Sequence, residues 1–375
     1  MYNVGFGDCF CLRDRKKSLL VDFGTNNSRI EGRPRRELFD MIISDLSTIN
    51  CKNLLLTHFH MDHLSGLLYM MKKKDISVDF GKIYLPDVFS KKEMSRTLVL
   101  LLLADLLKES GLPSRQVSLF ALVDALLENK QNVELLSRGK LFENKYQALW
   151  PDTDVIRKET DEVYNRICED GKFKEVMDVL LEFAEKLRLI VWSMTAECNK
   201  PAETVEKETD LTASELTEQP EVRQKIIRAY VYEREFRRIK ALPDFKKLLA
   251  WLNENQINLR QFKHKISIVF QNARDGKLPL YEHYWCIKVP HHGTQGHYFD
   301  FSQYEPENML ISNGIHFANS KKESKELRTS PLYGGLFYIP DTHMYCSNCD
   351  CCDSYENGCS CKEADVISPA YYKDI

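Results

Sequence analysis

The sequence has no run of about 18 apolar residues, the length a helix needs to span a bilayer. Its densest apolar stretch, Leu98 to Leu107, is shorter and is interrupted by Asp105, so it predicts a buried helix. A charged-then-apolar leader is also lacking, because the first residues enter a strand pattern at once. Nor is one sign of charge in excess. The 52 Lys and Arg against 55 Asp and Glu leave a net charge of −3, which excludes a global nucleic-acid footprint. These absences predict a cytoplasmic protein with no membrane segment.

What is present allows a large core. At 375 residues and 43% hydrophobic, the chain can fold as one enlarged domain or two small ones. The most informative stretch is His58-Phe59-His60-Met61-Asp62-His63. It follows the strand-like Leu54-Leu55-Leu56-Thr57 and opens an amphipathic segment from Leu64 to Met71. A single histidine in a turn is usually a solvated residue. Three imidazoles and a carboxylate at H-x-H-x-D-H spacing form a ligand set for zinc, manganese or iron.

Three further segments narrow the reading. The chain opens Asn3-Val4-Gly5-Phe6-Gly7-Asp8-Cys9-Phe10, then runs Ser18-Leu19-Leu20-Val21-Asp22-Phe23-Gly24, and later carries Ile287-Lys288-Val289-Pro290-His291-His292-Gly293-Thr294. With the histidine motif, these blocks resemble the metallo-β-lactamase superfamily. Within it they are similar to the soluble hydrolase domain of bacterial DNA-uptake competence proteins and its free-standing relatives. The resemblance covers roughly the first 90 residues and about 100 near the end, and it implies an αββα sandwich with a metal-activated water. That fold hosts many chemistries, so the substrate does not follow from it.

The resemblance implies ligand roles. His58 and His60 would hold a first metal, completed by a histidine that begins a later strand, here His264 before Ile266 to Phe270. A plain surface histidine is the competing reading of that position. Asp62, His63 and one of His291 or His292 would hold a second metal, with His292 favoured. The spare histidine, His291, would then support a ligand or act as an acid near the leaving group, and Asp62 would also orient the nucleophilic water. One departure matters. The family's L-L-x-G-D strand end, whose aspartate bridges two metals, is missing. If Asp275-Gly276 makes a hairpin turn, Glu282 falls where that aspartate belongs. Zinc is the expected ion, with manganese as an alternative.

The remaining organisation is coarser. Val4 to Leu12 and Ser18 to Asp22 predict a hairpin, Arg36 to Leu46 a helix, and Asn53 to Thr57 and Lys82 to Leu85 strands. Lys91 to Ser110 and Val117 to Asn129 carry helical periodicity, and Val133 to Trp150 returns to strand texture. Asp154 to Glu169, Lys172 to Trp192, Val222 to Lys240 and Pro243 to Asn253 predict more helices around an acidic, threonine-rich linker from Thr195 to Glu221. The expected division is therefore 1–151 as the first part of the sandwich, 152–260 as a helical insertion, 261–340 as its second part and 341–375 as a cysteine-rich tail. The insertion would serve as a lid or as the docking surface for a protein partner.

Six of the 12 cysteines fall in that tail: Cys346, Cys349, Cys351, Cys352, Cys359 and Cys361, with His343 upstream. Without a secretory leader, clustered thiols predict a structural zinc site rather than disulfides. The other six (Cys9, Cys11, Cys51, Cys168, Cys198 and Cys286) read as small core hydrophobes. Basic groups at Arg33, Arg35 and Arg36, at Lys72 to Lys74, and between Arg223 and Lys240 suit a phosphate backbone or nucleotide, although such faces are often only solvated. The function expected is a metal-dependent phosphodiesterase or nuclease, in the form of a partner-controlled bacterial effector. A degenerate interaction module and an ester, amide or thioester hydrolase are the alternatives.

Overall fold

The computed structural model describes residues 1–14, 17–30, 32–49, 51–73, 80–108, 118–129, 131–169, 171–196, 238–257, 259–272, 283–289, 302–312 and 342–346. The chain is a mixed α/β protein. In chain order it has β1 (Phe10–Asp14), β2 (Lys17–Val21), β3 (Arg29–Ile30), β4 (Arg33–Pro34), α1 (Arg35–Thr48), β5 (Asn53–Leu55), α2 (Met61–Lys72) and β6 (Lys82–Pro86). Next come α3 (Ser95–Lys108), α4 (Ser118–Glu128), β7 (Val133–Leu136), β8 (Leu141–Phe142), β9 (Tyr146–Trp150), α5 (Thr153–Cys168) and α6 (Lys174–Trp192). Then follow α7 (Phe245–Glu254), α8 (Arg260–Lys265), β10 (Val269–Asn272), β11 (Cys286–Lys288), β12 (Asn308–Ile311) and β13 (His343–Cys346). Two compact units divide these elements: residues 1–54, 61–79 and 278–375 form the first, residues 55–60 and 80–277 the second.

In the first unit, β1 and β2 form the expected antiparallel hairpin, from Phe10 opposite Val21 to Asp14 opposite Lys17. Its first strand begins at Phe10 rather than Val4. Residues 1 to 9 instead form a buried non-strand segment, in which the Asp8 backbone N–H donates to the Asp62 carbonyl. Helix α1 buries Leu38, Phe39, Ile42, Ile43 and Leu46 on one face, the i, i+4 spacing of an amphipathic helix. Phe39 meets Phe23 edge-on, with ring centroids 5.2 Å apart. Strands β11, β12 and β13 form a parallel sheet, Cys286 opposite Asn308 and Asn308 opposite His343.

The second unit is built on α3, in which every residue from Leu98 to Leu103 is at most 1% exposed. A helix apolar all round has to be enclosed, and α3 packs against α5, α6 and α8. Strands β6 and β7 pair in parallel, and β8, β9 and β10 form an antiparallel sheet. Buried charges in this unit are matched: Asp105 takes the Lys263 ammonium, and Arg188 binds Glu185 and the Phe89 carbonyl.

His264 departs from expectation. The strand starts at Val269, and the His264 backbone belongs to helix α8. The physical reason is long-range. Lys263 reaches back to Asp105 on α3, Lys265 to Glu159 on α5, and Trp150 Nε1 donates to the Lys265 carbonyl. Those contacts hold the segment as a helical turn before the Ile266-Ser267-Ile268 stretch.

Candidate metal centre

The strand-to-helix turn places its side chains as the spacing implies. Phe59 is 1% exposed and packs against Phe89 with centroids 5.9 Å apart. His58 and His60 flank Phe59 in a bend of the chain, and their side chains turn toward each other. Their rings lie edge-to-face at 4.7 Å, with His58 Nε2 3.1 Å from His60 Nδ1. The Thr57 hydroxyl lies 3.0 Å from His58 Nδ1 and anchors that side of the ring. Two imidazole nitrogens on one tetrahedral zinc, at Zn–N near 2.0–2.1 Å, lie about 3.3 Å apart. The pair fits that requirement.

In the first unit, Asp62 and His63 occupy the first turn of α2, where a carboxylate also complements the helix dipole. His63 Nδ1 is 2.8 Å from Asp22 Oδ2 and 3.4 Å from Asp8 Oδ2, and its Nε2 is 3.8 Å from Asp62 Oδ2. Burial is the largest influence on the imidazole and pushes its pKa down. The charges of Asp22, Asp8 and Asp62, with the Asp22 hydrogen bond, overcome that and raise it to about 9. Ligand atoms of Asp8, Asp22 and His63 lie within 4.8 Å of one another, and all three residues are buried. The separation of His63 Nε2 from Asp62 is compatible with two ligands of one ion.

Glycine makes this closeness possible. A Cβ on Gly24 would fall 2.6–2.7 Å from the backbone of Asp62, His63 and Leu64, and one on Gly7 would fall 2.2 Å from the Gly24 carbonyl oxygen. Three backbone segments therefore touch directly. The Phe23 N–H donates to the His63 carbonyl at 2.7 Å, and the Gly24 N–H to the Asp8 carbonyl at 3.1 Å. Just before them Asp22 adopts φ of 55°, a left-handed conformation that aspartate tolerates better than most residues. Glycine-aspartate and V-D-x-G are thus the sequence marks of two carboxylates pressed against the start of helix α2. Asp8 and Asp22 lie in the blocks that carry the resemblance, and the sequence reading gives them no place among the ligands.

Among the expected residues, the structure brings His58 to His60, and Asp62 to His63. The side chains of His264, His343 and Cys346, and all of Glu282, His291, His292, Cys349, Cys351, Cys352, Cys359 and Cys361, lie outside the described residues, as does the Asp275-Gly276 turn. Of the cysteines expected in the core, Cys9 and Cys51 are buried, Cys11, Cys168 and Cys286 are half-buried, and Cys198 is not described.

No curated protein and no solved structure matches the chain. One family model does match, over residues 2–87, a stretch that holds Asp8, Asp22, His58, His60, Asp62 and His63. It is described as the Metallo-beta-lactamase superfamily, and over this segment the chain is similar to that superfamily.

Proposed function

We propose that the protein is a zinc-dependent hydrolase that cleaves phosphodiesters. The observation that carries the metal reading is the 3.1 Å approach of His58 Nε2 to His60 Nδ1, a separation suited to a shared ion. Such an ion acidifies water and polarises a phosphoryl or carbonyl oxygen. In this reading His58 and His60 hold one metal, and Asp62 and His63 hold a second. Glu282 and either His291 or His292 complete the second set, and Asp62 orients the attacking water. The wider superfamily is mostly hydrolytic, which supports the reaction class.

The phosphodiester preference rests on charge. Arg29, Arg33, Arg35 and Arg36 follow Gly24, and none forms an ion pair with a carboxylate among the described residues. Burial, and then the neighbouring Arg36, push the Arg35 guanidinium below its usual pKa. An anionic substrate would relieve it. Lys73, by contrast, is already paired with Asp40 at 2.6 Å. Cytoplasmic location, control by a protein partner docked on residues 152–260, and a zinc held by the cysteine tail belong to the same proposal. No helix among the described residues is long and apolar enough to cross a membrane.

The test is metal analysis followed by turnover. Protein purified without chelators should carry zinc that falls by at least one ion per chain in the His58→Ala/His60→Ala double variant. Asp62→Ala should lower hydrolysis of a model phosphodiester at least about 100-fold, as loss of a group acting on the attacking water would. Full zinc content in the double variant sinks the metal assignment. Turnover of esters or thioesters but of no diester sinks the substrate class.

A further inference from the structure

Asp8 reaches the site with both carboxylate oxygens engaged. Oδ2 accepts from Lys288 Nζ at 2.7 Å, and Oδ1 accepts from the Ser312 hydroxyl. Its side chain is 1% exposed, whereas that of Lys288 is 32% exposed, so the ammonium reaches inward to a buried anion. The same Oδ2 stands 3.4 Å from His63 Nδ1, and Asp22 Oδ2 stands 2.8 Å from that nitrogen. Two buried carboxylates therefore flank one ring N–H, which can be given in good geometry to only one of them. The contacts on Asp8 decide which.

We infer that Lys288 is a positioning residue: its ammonium, with the Ser312 hydroxyl, holds Asp8 off the His63 Nδ1–H, so that Asp22 orients the imidazole and Nε2 is the atom presented to a metal. The inference rests on the metallo-hydrolase reading and adds a residue to it. A ligating histidine is usually fixed through its second nitrogen by a carboxylate, and Asp22 makes that contact here. Asp8, Asp22 and His63 are then an orienting cluster and not an ion's cage, although their ligand atoms are close enough for one. To ligate, Asp8 would have to give up an ammonium and a hydroxyl. Lys288 also offsets one of the three carboxylates around His63, which limits the charge buried there. It comes from the end of β11, and Ser312 directly follows β12. The positioning contact thus registers the C-terminal parallel strands of the first unit against its N-terminal loop.

Manganese titration of the full-length protein tests this, with the free ion followed by electron paramagnetic resonance. Manganese prefers carboxylate and imidazole to thiolate, so the cysteine tail stays silent. Lys288→Met should weaken manganese binding by about 10–100-fold, the usual loss when a supporting contact is removed. Lys288→Arg, which keeps a cation facing Asp8, should restore it to within about threefold, and a merely structural lysine would give no such charge-specific rescue. If the methionine variant fails to fold, Lys288→Gln takes its place in the same comparison. Unchanged affinity in Lys288→Met overturns the inference. So does tighter binding, which would make Asp8 a ligand that the lysine holds back. A wild-type protein that takes up no manganese and no zinc overturns this inference and the metallo-hydrolase reading together, whereas wild-type binding with unaffected variants removes this one alone.

Discussion

At the level of single residues, His63 carries the most physical information. Its protonated form is favoured by three carboxylates inside a buried site, and its pKa rises from the ordinary 6.5 to about 9. A folded-state pKa above the unfolded one means that the folded chain binds the extra proton more tightly. The metal-stripped protein therefore has this contribution in full below about pH 6.5 and loses it as pH rises through about 9. Urea midpoints of chelator-treated protein should be higher at pH 6 than at pH 9.5, and Asp22→Asn should flatten that difference. A steeper slope in Asp22→Asn would contradict the assignment. The histidine motif was legible because its spacing is unusual in itself. Asp8 and Asp22 were harder to place, because one aspartate after a glycine or a strand is ordinary until the backbone shows what it abuts.

Elements explain why these side chains meet. Helix α2 starts against Gly24 with no room for a β-carbon, and Gly66 on the same helix faces the Phe23 ring at 2.6 Å from where its Cβ would stand. Gly24→Ala would drive a methyl group into the backbone of Asp62 to Leu64. It should cost about 3 kcal/mol, the upper end of overpacking penalties, and weaken metal binding as α2 moves away. Thermal unfolding with and without zinc would show both effects, and a melting temperature within 1–2 °C of wild type would mean that the strand can shift freely. Periodicity made most described elements readable: α1, α3, α5 and α6 lie within a few residues of their expected limits. It failed at residues 260–265. There the helix is held by Asp105, Glu159 and Trp150, all more than 100 positions away, and no local pattern encodes them.

At the scale of the whole molecule, the two units interleave along the chain, since residues 55–60 belong to the second while their neighbours belong to the first. A boundary drawn from composition would not find so short an exchange of segments. The cysteine tail calls for a test at this scale because its metal would be independent of the histidines. Serine at Cys349 and Cys352 should release one zinc per chain, sensitise the C-terminus to protease and leave the His58 metal in place, since thiolate sites supply folding free energy directly. Native mass spectrometry reads the metal content and limited proteolysis the state of the tail. Disulfides in protein purified under non-oxidising conditions, or unchanged zinc, would defeat it.

The Lys288–Asp8 contact joins residues 280 positions apart, and that separation sets an order in time. At roughly 5–20 residues per second, a ribosome needs about 15–55 s after Asp8 to reach its cation. Until then a carboxylate meant for burial has neither the ammonium nor the Ser312 hydroxyl, and burying it unpaired is strongly unfavourable. The histidine turn and its glycine-packed hairpin are made early, but Asp8 gains its partners only when residues 288 and 312 have emerged. The cluster around His63 is thus completed only after Lys288 and Ser312 have been made, long after the residues that form its core.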